Sequence, residues 1–361
     1  MIRFLAIIVL LFAVNSCKLI KKKDEQKLPK AKNIILLVGD GMGVSQIYAA
    51  MSTASKPLNI EQFKYIGFHK TYSATHYITD SGAGGTALST GIKTCNNCIA
   101  TDTSGNSIKT ILEYAKENEL ATGLVSTSSI LHATPASFIA HVLSRNSYEE
   151  IALYFLRTDI DLFIGGGKKQ FIQRKDSLNL IDSLIARNYL VADSIHQIPE
   201  NYKGKLAILS AREHNPSYLK GRGDLLPEAT EKAIQILSKN ENGFFLMIEG
   251  SQIDWGGHDK DIDYVVSETI DFDKAIGKAL EFAKKDGETL VIVTADHETG
   301  GLTLTDGDLK GKTIVANFST DHHTGVMVPV FAFGPDAEDF IGIYENTKVF
   351  EKMMTAFQFK K

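Results

Sequence analysis

Residues 33–43 read NIILLVGDGMG, and this stretch decides the fold that we predict. Five apolar residues follow Asn33 without the alternation of a half-buried strand, and Gly39 and Asp40 end the run. A strand that is apolar at consecutive positions is buried on both faces, as in a mainly parallel sheet. We therefore predict a buried strand that carries Asp40 at its carboxyl end.

Similar apolar runs recur along the chain, and amphipathic stretches with helical spacing lie between them. The runs are residues 33–38, 121–125, 161–164, 206–209, 244–248, 290–294 and 328–333. The clearest helical stretches are residues 108–118, 227–239 and 264–285. Strands that alternate with helices predict an α/β fold, with a mainly parallel central sheet and helices on both faces.

The composition is typical of a folded catalytic domain. The 361 residues are 43% hydrophobic and 23% charged, with a formal net charge of -4. A chain of this length and hydrophobic content can bury a large core. The slightly negative charge gives no reason to expect nucleic-acid binding. We predict one catalytic domain over residues 33–361.

The first residues predict export and lipid anchoring. Residues 4–14 form an apolar run that has the length of a signal-peptide core and is too short to span a bilayer. Ser16-Cys17 follows, and a small residue before Cys is similar to a bacterial lipoprotein cleavage site. We predict a signal peptide over residues 1–17, cleaved before Cys17, and a protein anchored by lipid in the periplasm or at the outer membrane or cell surface. Ordinary secretion is the alternative.

The next segment has a composition that cannot form a core. Residues 18–32 contain seven lysines and no aromatic side chain. We interpret this segment as a Lys-rich tether between the lipid and the catalytic domain. Its charge also favours contact with anionic lipid heads.

The two remaining cysteines lie close together in residues 95–98, which read CNNC. A zinc ribbon needs a second such pair, and the sequence has none. The flanking residues do not offer the thioredoxin-like unit that a redox motif needs. In an oxidising compartment we expect a local disulfide between Cys95 and Cys98.

Acidic and imidazole groups follow several of the predicted strands. In open α/β sheets, ligands bind beyond the carboxyl ends of the strands, so these groups should meet at one edge. Asp254 and His258 are four residues apart and would share one face of a helical turn. The candidate metal ligands are Asp40, Glu249, Asp254, His258, Asp296, His297 and His323. Mixed carboxylate and imidazole donors suit zinc, and seven exceed the need of one tetrahedral ion, so two or three ions are predicted.

Ser81 is the candidate nucleophile, in residues 79–87, which read TDSGAGGTA. Two metals about 4 Å apart are the usual arrangement for displacement at phosphorus. A metal ion can activate a serine that has no histidine base. The glycines after Ser81 allow a phosphate close to the backbone, and a helix that began at Ser81 would favour the phosphoryl anion.

Six motifs occur in the order in which the alkaline phosphatase family has them. They are VGDGMG at 38–43, TDS at 79–81, HATP at 132–135, EGSQID at 249–254, TADHETGG at 294–301 and HTG at 323–325. From about residue 33 onward, the chain resembles that family. The resemblance implies an alkaline phosphatase-like three-layer sandwich and metal-dependent hydrolysis of phosphate monoesters through a phosphoserine on Ser81.

The resemblance also implies a role for each matching residue. Two zinc ions and one magnesium ion are expected. The residues that would hold the first zinc are Asp254, His258 and His323. Those that would hold the second zinc, beside Ser81, are Asp40, Asp296 and His297. Those that would hold the magnesium are Asp40, Thr134 and Glu249. Arg145 falls where the family clamps two phosphate oxygens, a task that suits a guanidinium fork better than a lysine.

Two positions depart from the best-known bacterial form of the family. His132 stands where that form has an aspartate, and Trp255 stands where it has a lysine. Some marine or cold-adapted bacterial members are similar to this chain at these positions. An imidazole in place of a carboxylate changes the donors available to the third metal. We place His132 and Trp255 around the ligands rather than among them. His322 adjoins His323 and could take its role, but the His-Thr-Gly match favours His323 and leaves His322 beside the ligands or at the surface.

Other functions stay open at this point. A phosphodiesterase of the same superfamily is the main alternative. A sulfatase would need a Cys or Ser followed by x-Pro-x-Arg, whereas Gly and Ala follow Ser81. A surface lipoprotein that only binds phosphate or metal would not need Ser81. The physiological substrate, and whether the protein forms a homodimer, are not determined by the sequence.

Overall fold

The computed structural model describes residues 31–308 and 310–360. The predicted signal peptide, the lipidation site at Cys17 and most of the Lys-rich tether lie outside these residues. Ala31 is buried, and the Lys32 N–H donates a 2.8 Å hydrogen bond to the Glu288 carbonyl. Ala31 and Lys32, which we assigned to the tether, therefore contact the folded domain. Within the described ranges, no helix is both long enough and apolar enough to cross a bilayer.

The described ranges contain the following strands and helices. The strands are β1 (Asn33–Gly39), β2 (Tyr65–Lys70), β3 (Ala121–Ser129), β4 (Leu162–Gly166), β5 (Tyr189–Ala192), β6 (Lys205–Leu209), β7 (Phe244–Gly250), β8 (Thr289–Thr294), β9 (Glu298–Thr299), β10 (Leu302–Asp308), β11 (Thr313–Phe318), β12 (His323–Thr324), β13 (Val328–Phe333) and β14 (Gly342–Glu345). The helices are α1 (Val44–Thr53), α2 (Ser81–Thr90), α3 (Ile111–Glu117), α4 (Ala133–Ala136), α5 (Tyr148–Arg157), α6 (Lys168–Ile172), α7 (Leu180–Ala186), α8 (Leu225–Leu237), α9 (Gln252–His258), α10 (Ile262–Asp286) and α11 (Thr347–Ala356).

Ten of these strands form one sheet, in the order β14-β2-β13-β8-β1-β7-β3-β4-β6-β5. β1 is parallel to both of its neighbours, β7 and β8. The parallel pairing continues through β3, β4, β6 and β5. β13 is antiparallel to β8 and to β2. The predicted mainly parallel sheet is confirmed, with antiparallel pairing confined to β13.

The first strand shows why consecutive apolar residues predict this fold. All seven residues of β1 are buried. Ile34 and Leu36 belong to a core that also includes residues of α3, α5 and α11. Ile35 and Leu37 belong to a second core on the other face, with residues of α1, α8 and α10. Since alternate side chains of a strand point to opposite faces, both faces must be apolar when helices cover both.

Other differences are strands that we did not predict, namely β2, β5 and β14 in the large sheet and β9 to β12 outside it, and the ends of helices. β2 and β14 were not predicted, because several of their residues are exposed and they lack a run of consecutive apolar side chains. α3 begins at Ile111 rather than at residue 108. The Thr110 hydroxyl accepts a hydrogen bond from the Glu113 N–H at 3.2 Å, and the Glu113 carboxylate accepts one from the Thr110 N–H at 2.8 Å. This reciprocal cap defines the first turn of α3.

Candidate active site

The carboxyl edge of the sheet brings all seven predicted ligands into one region. Asp40 directly follows β1, and Glu249 is the next-to-last residue of β7. Asp296 and His297 come just after β8. α9 carries both of its predicted ligands on one turn, and β12 begins with His323. Three groups of side chains have ligand atoms within 4.8 Å of one another: Asp254, His297 and His323; Asp40, Asp296 and His297; and Asp40, His132 and Glu249.

Three of the predicted ligand carboxylates, Asp40, Glu249 and Asp296, have buried oxygens without a hydrogen-bond partner among the described residues. In the described part of the chain, neither carboxylate oxygen of Asp40 has a hydrogen-bond partner. Asp296 Oδ1 accepts hydrogen bonds from the N–H groups of Gly41 at 3.3 Å and His297 at 3.0 Å, whereas its Oδ2 has none. An unpaired buried carboxylate is costly, so these oxygens fit a bound cation.

Two histidines are oriented so that their free nitrogens converge. Nδ1 of His258 lies 2.6 Å from the Asp321 carbonyl, and Nδ1 of His323 lies 2.9 Å from the Thr79 carbonyl. Because a carbonyl only accepts, each Nδ1 carries the hydrogen and each Nε2 keeps its lone pair. The two Nε2 atoms are 3.2 Å apart, and Asp254 Oδ1 lies 3.3 and 3.5 Å from them. Two lone pairs and a carboxylate that face one point fit a zinc site.

A third group of donors surrounds Glu249. Its Oε2 accepts hydrogen bonds from the hydroxyls of Ser126 at 2.7 Å and Ser251 at 2.6 Å. Thr134, in α4, is fully buried, and neither its hydroxyl nor Oε1 of Glu249 has a hydrogen-bond partner among the described residues. His132 Nδ1 has no hydrogen-bond partner among the described residues. His132 therefore lies among the candidate ligands of this group, rather than only beside them as the sequence suggested.

The acidic groups are so crowded that their pKa values shift strongly. Burial, and then the charges of Asp296 and Asp254, raise the pKa of Asp40 well above its usual range. Burial, and then the charge of Asp254, raise the pKa of Asp296 to about 7. Burial, and then Arg145, lower the pKa of His132 to about 3. The site therefore favours charge neutrality, which bound cations would provide without protonating the ligands.

Ser81 is the first residue of α2, as the motif suggested. The N-capping Asp80 accepts a hydrogen bond from the Ala83 N–H through Oδ1 at 3.0 Å. Ser81 Oγ lies 3.3 Å from Nε2 of His297, which belongs to two of the three ligand groups. A Cβ on Gly84 would lie 3.0 Å from Cβ of Asp296, so the glycine lets α2 approach the turn that carries the ligands. The helix N-terminus adds partial positive charge beside the hydroxyl.

Arg145 reaches the same region from the loop before α5. Its Nη1 donates a 2.9 Å hydrogen bond to Asp80 Oδ2, and its Nη2 lies 3.4 Å from Nε2 of His132. The side chain is mostly buried. Its guanidinium is therefore held between the residue that caps α2 and the third ligand group. The sequence did not single out Asp80, which reads locally as an ordinary helix cap.

Trp255 and His322, two of the residues that we considered around the metal ligands, lie in different surroundings. The ring centroid of Trp255 lies 6.1 Å from that of His132 and 4.9 Å from that of His214. His214 Nδ1 accepts a 3.1 Å hydrogen bond from the Ser129 N–H. His214 was not predicted, because no spacing in the sequence connects it to the site. Of the two positions that we considered for His322, beside the ligands or at the surface, the structure has the second: its side chain is 83% exposed and contacts Asp321.

A family model described as Alkaline phosphatase matches residues 31–317. The chain belongs to this family. Alkaline phosphatase 3 of Bacillus subtilis is 42% identical over 268 residues, which cover 70% of this chain and 57% of the relative. Alkaline phosphatase of Escherichia coli is 35% identical in an alignment of 417 positions that covers 94% of this chain and 88% of the relative. The match to the Bacillus relative thus spans little more than half of its length.

Solved structures of this family have the same fold. Alkaline phosphatase from the Antarctic bacterium TAB5 is 45% identical, with a TM-score of 0.88 over 92% of this chain and all of that chain. Variants of the TAB5 enzyme in which a histidine is replaced by Asp or Glu are similar to the same extent, and each has Mg bound in its M3 site. The alkaline phosphatase three-layer fold that the sequence predicts is therefore confirmed.

The first prediction concerns the pH dependence of stability in the absence of metal. The hydrogen bond with Asp254 raises the pKa of His258 from 6.5 to about 9. A raised histidine pKa contributes stability in full below the unfolded value and loses it as pH rises through the folded value. After chelation, the melting temperature should fall between pH 7 and 9, measured by scanning calorimetry. Zinc should stabilise increasingly over this range, because its ligands must be deprotonated.

Two histidine variants serve as controls for this measurement. His258→Gln should flatten the fall in the metal-free protein, since the titrating group is removed. His196→Gln changes an exposed histidine far along the chain from the ligands and should leave the slope unchanged. A metal-free melting temperature that rises from pH 7 to 9 would contradict the prediction.

Proposed function

We propose that this protein hydrolyses phosphate monoesters through a phosphoserine on Ser81. The observation that carries the proposal is the position of the Ser81 hydroxyl. It lies at the N-terminus of a helix and 3.3 Å from Nε2 of His297, beside buried carboxylate oxygens without partners. A serine in this setting can be activated by a cation and can hold a phosphoryl group near positive partial charges.

The proposed reaction has two displacements at phosphorus. The Ser81 hydroxyl gives up its proton to solvent, and its Oγ forms a bond to phosphorus as the bond to the leaving alkoxide breaks. The alkoxide takes a proton from water. Water then attacks the phosphoserine, which releases inorganic phosphate and returns the serine. The first-turn N–H groups of α2 and the guanidinium of Arg145 would bind phosphoryl oxygens in both steps, since both carry donors toward the region of Ser81.

Zinc is the proposed metal at the two groups nearest Ser81. Asp254, His258 and His323 would hold one ion, and Asp40, Asp296 and His297 the other. When bound, these ions supply the charge that lowers the pKa of a nucleophilic oxygen and stabilises a leaving oxygen. The donors support the assignment: imidazole nitrogens with free lone pairs are combined with buried carboxylates, of which Asp40 has no hydrogen-bond partner and Asp296 has one oxygen without a partner among the described residues. His297, a member of the second set, also lies within 4.8 Å of Asp254 and His323 in the first, and it would orient the two sets relative to Ser81.

Magnesium is proposed at the third group, formed by Asp40, Thr134 and Glu249. Hard oxygen donors suit magnesium, and Glu249 is kept in place by two serine hydroxyls. His132 lies in this group where a carboxylate would be a better magnesium ligand. The TAB5 variants that exchange a histidine for Asp or Glu have Mg in a site called M3. By analogy, we propose that His132 weakens magnesium binding in this chain.

Monoesters are favoured over diesters by the charge around Ser81. Arg145 donates to Asp80 through Nη1 and lies 3.4 Å from His132 Nε2 through Nη2, and the second hydrogen on each of these nitrogens could bind phosphoryl oxygens. A monoester presents an additional charged oxygen to such a fork, and a diester does not. A phosphodiesterase of the same superfamily is the alternative, which a comparison of the two substrates separates.

Export and lipid anchoring are proposed from residues outside those that the structure describes. The apolar run at 4–14 and the Ser16-Cys17 pair support a lipoprotein signal. Residues 18–30 would connect the lipid to the fold, which starts by Ala31. The Cys95–Cys98 disulfide is consistent with an oxidising compartment.

Removal of the nucleophile should abolish turnover. Ser81→Ala should lower kcat for an aryl phosphate monoester by at least about a thousandfold, because the covalent step is lost. Ser89→Ala is the matched control, since it removes another buried hydroxyl from α2 that bonds to the Ser137 carbonyl. Its kcat should remain within about threefold of the parent. Steady-state kinetics with a monoester and a diester decide the outcome: a wild-type preference for the diester would reject the proposal.

A carboxylate at position 132 should strengthen magnesium binding. His132→Asp should lower the dissociation constant for magnesium by about tenfold or more, because a charged oxygen donor replaces an imidazole. Isothermal titration of the zinc-loaded protein measures it. His214→Asp places the same charge on the neighbouring imidazole, outside the ligand group, and should have a smaller effect. Equal affinities in the parent and His132→Asp would exclude His132 as the determinant.

Loss of the lipidation site should release the protein from membranes. Cys17→Ser should shift the full chain from the membrane fraction to the soluble exported fraction, as followed by immunoblotting of fractionated cells. Ser16→Ala keeps a small residue before the cysteine and should remain in the membrane fraction. Membrane association of Cys17→Ser equal to that of the parent would rule out lipid anchoring at this residue.

A further inference from the structure

The Cys95–Cys98 disulfide closes a turn that lies directly against Arg145. Asn97, between the two cysteines, has a left-handed backbone with φ of 70°. Its N–H donates a 3.1 Å hydrogen bond to Asp80 Oδ2. Its carbonyl accepts a 2.8 Å hydrogen bond from the Arg145 N–H. One residue of the turn is therefore bonded to both members of the Asp80–Arg145 ion pair.

Asp80 is the point at which these interactions meet. The oxygen that accepts the Asn97 N–H also accepts Nη1 of Arg145 at 2.9 Å. The other oxygen accepts the Ala83 N–H in the first turn of α2. The turn, the guanidinium and the helix that begins with Ser81 are thus joined through one carboxylate. A shift of the turn would move the guanidinium relative to the serine.

The disulfide adds a covalent closure to a turn that also has hydrogen bonds of its own, from the Cys98 N–H to the Cys95 carbonyl and from the Asn96 side-chain amide to the Ile78 carbonyl, both at 3.1 Å. The chain after the turn is anchored separately, because Ile99 and Val142 exchange backbone hydrogen bonds at 2.9 and 3.1 Å. At the tip, Asn97 holds a left-handed conformation, which is only one of the conformations that asparagine adopts in an open chain, so a constraint is needed to keep it. The disulfide supplies such a constraint by removing conformations of the open chain.

We propose that the disulfide turn is a positioning element that holds Arg145 in the geometry needed to bind phosphate. This inference rests on the proposed phosphatase function. Without the bridge, Arg145 would sample more orientations and bind phosphoryl oxygens less tightly. Ser81 and the metal ligands would keep their positions, because α2 and the central sheet hold them. The expected signature is weaker phosphate binding with a largely preserved catalytic rate.

The test compares the parent with the double variant Cys95→Ser/Cys98→Ser, both loaded with zinc and magnesium. The inhibition constant for inorganic phosphate and the KM for an aryl monoester should each rise about three- to tenfold, as expected when one positioning contact is loosened. The kcat should stay within about twofold of the parent. Unchanged phosphate inhibition, or a fall in kcat and melting temperature at constant KM, would overturn the proposal, since either outcome marks the bridge as merely structural.

Reversible reduction of the parent supplies the control within one chain. A phosphine reductant takes the oxygen of one water, and the two sulfurs take its two hydrogens as the S–S bond breaks. Reduction should reproduce the kinetics of the double variant, and reoxidation should restore those of the parent. The double variant should respond to neither treatment. A reduced parent that binds phosphate as the oxidised one does contradicts the inference.

Hydrogen exchange separates this inference from the proposed function. The amide hydrogens of Asn97 and Arg145 should exchange faster once the bridge is open, because both are donors in the contacts described above. A parent without monoesterase activity would reject the proposed function alone, and faster exchange at these two amides would still support the positioning role. Unchanged exchange at both amides would reject the positioning role, whatever the activity.

Discussion

The electrostatic cost of burying several carboxylates together is the constraint on which this structure depends. Asp40 and Asp296 are fully buried, and burial raises the pKa of each. Carboxylates that are buried side by side in a protein interior can all stay charged only when positive charge compensates them. The histidines, the unpaired carboxylate oxygens and the helix N-terminus at Ser81 are all arranged around the place where cations would supply it.

The sheet makes this arrangement possible because its central strands are parallel. Parallel strands end at the same edge, so β1, β7 and β8 bring acidic side chains from distant parts of the chain into contact. Backbone carbonyls then fix the ligand orientation: those of Asp321 and Thr79 orient His258 and His323. Rigid elements thus determine the position of each donor, and the loops contribute the remaining contacts.

Much of the fold and of the site could be predicted because their signals are local. Consecutive apolar residues in 33–38 require a strand covered on both faces, and β1 has that environment. The six motifs in family order identified the ligands that the structure brings together. β2 was missed because it is partly exposed, and His214 because its contact with Trp255 joins residues that are distant in sequence.

The sequence by itself determined the α/β class, the family, and which side chains carry the chemistry, because these depend on residue type and short spacing. Only the tertiary structure decided how those side chains meet. It turned His323 toward the ligands and His322 to the surface, and it placed His132 beside Asp40 and Glu249. It also put Asn97 against both Asp80 and Arg145. Such contacts form when segments that are remote along the chain pack together, and short-range sequence patterns do not predict them.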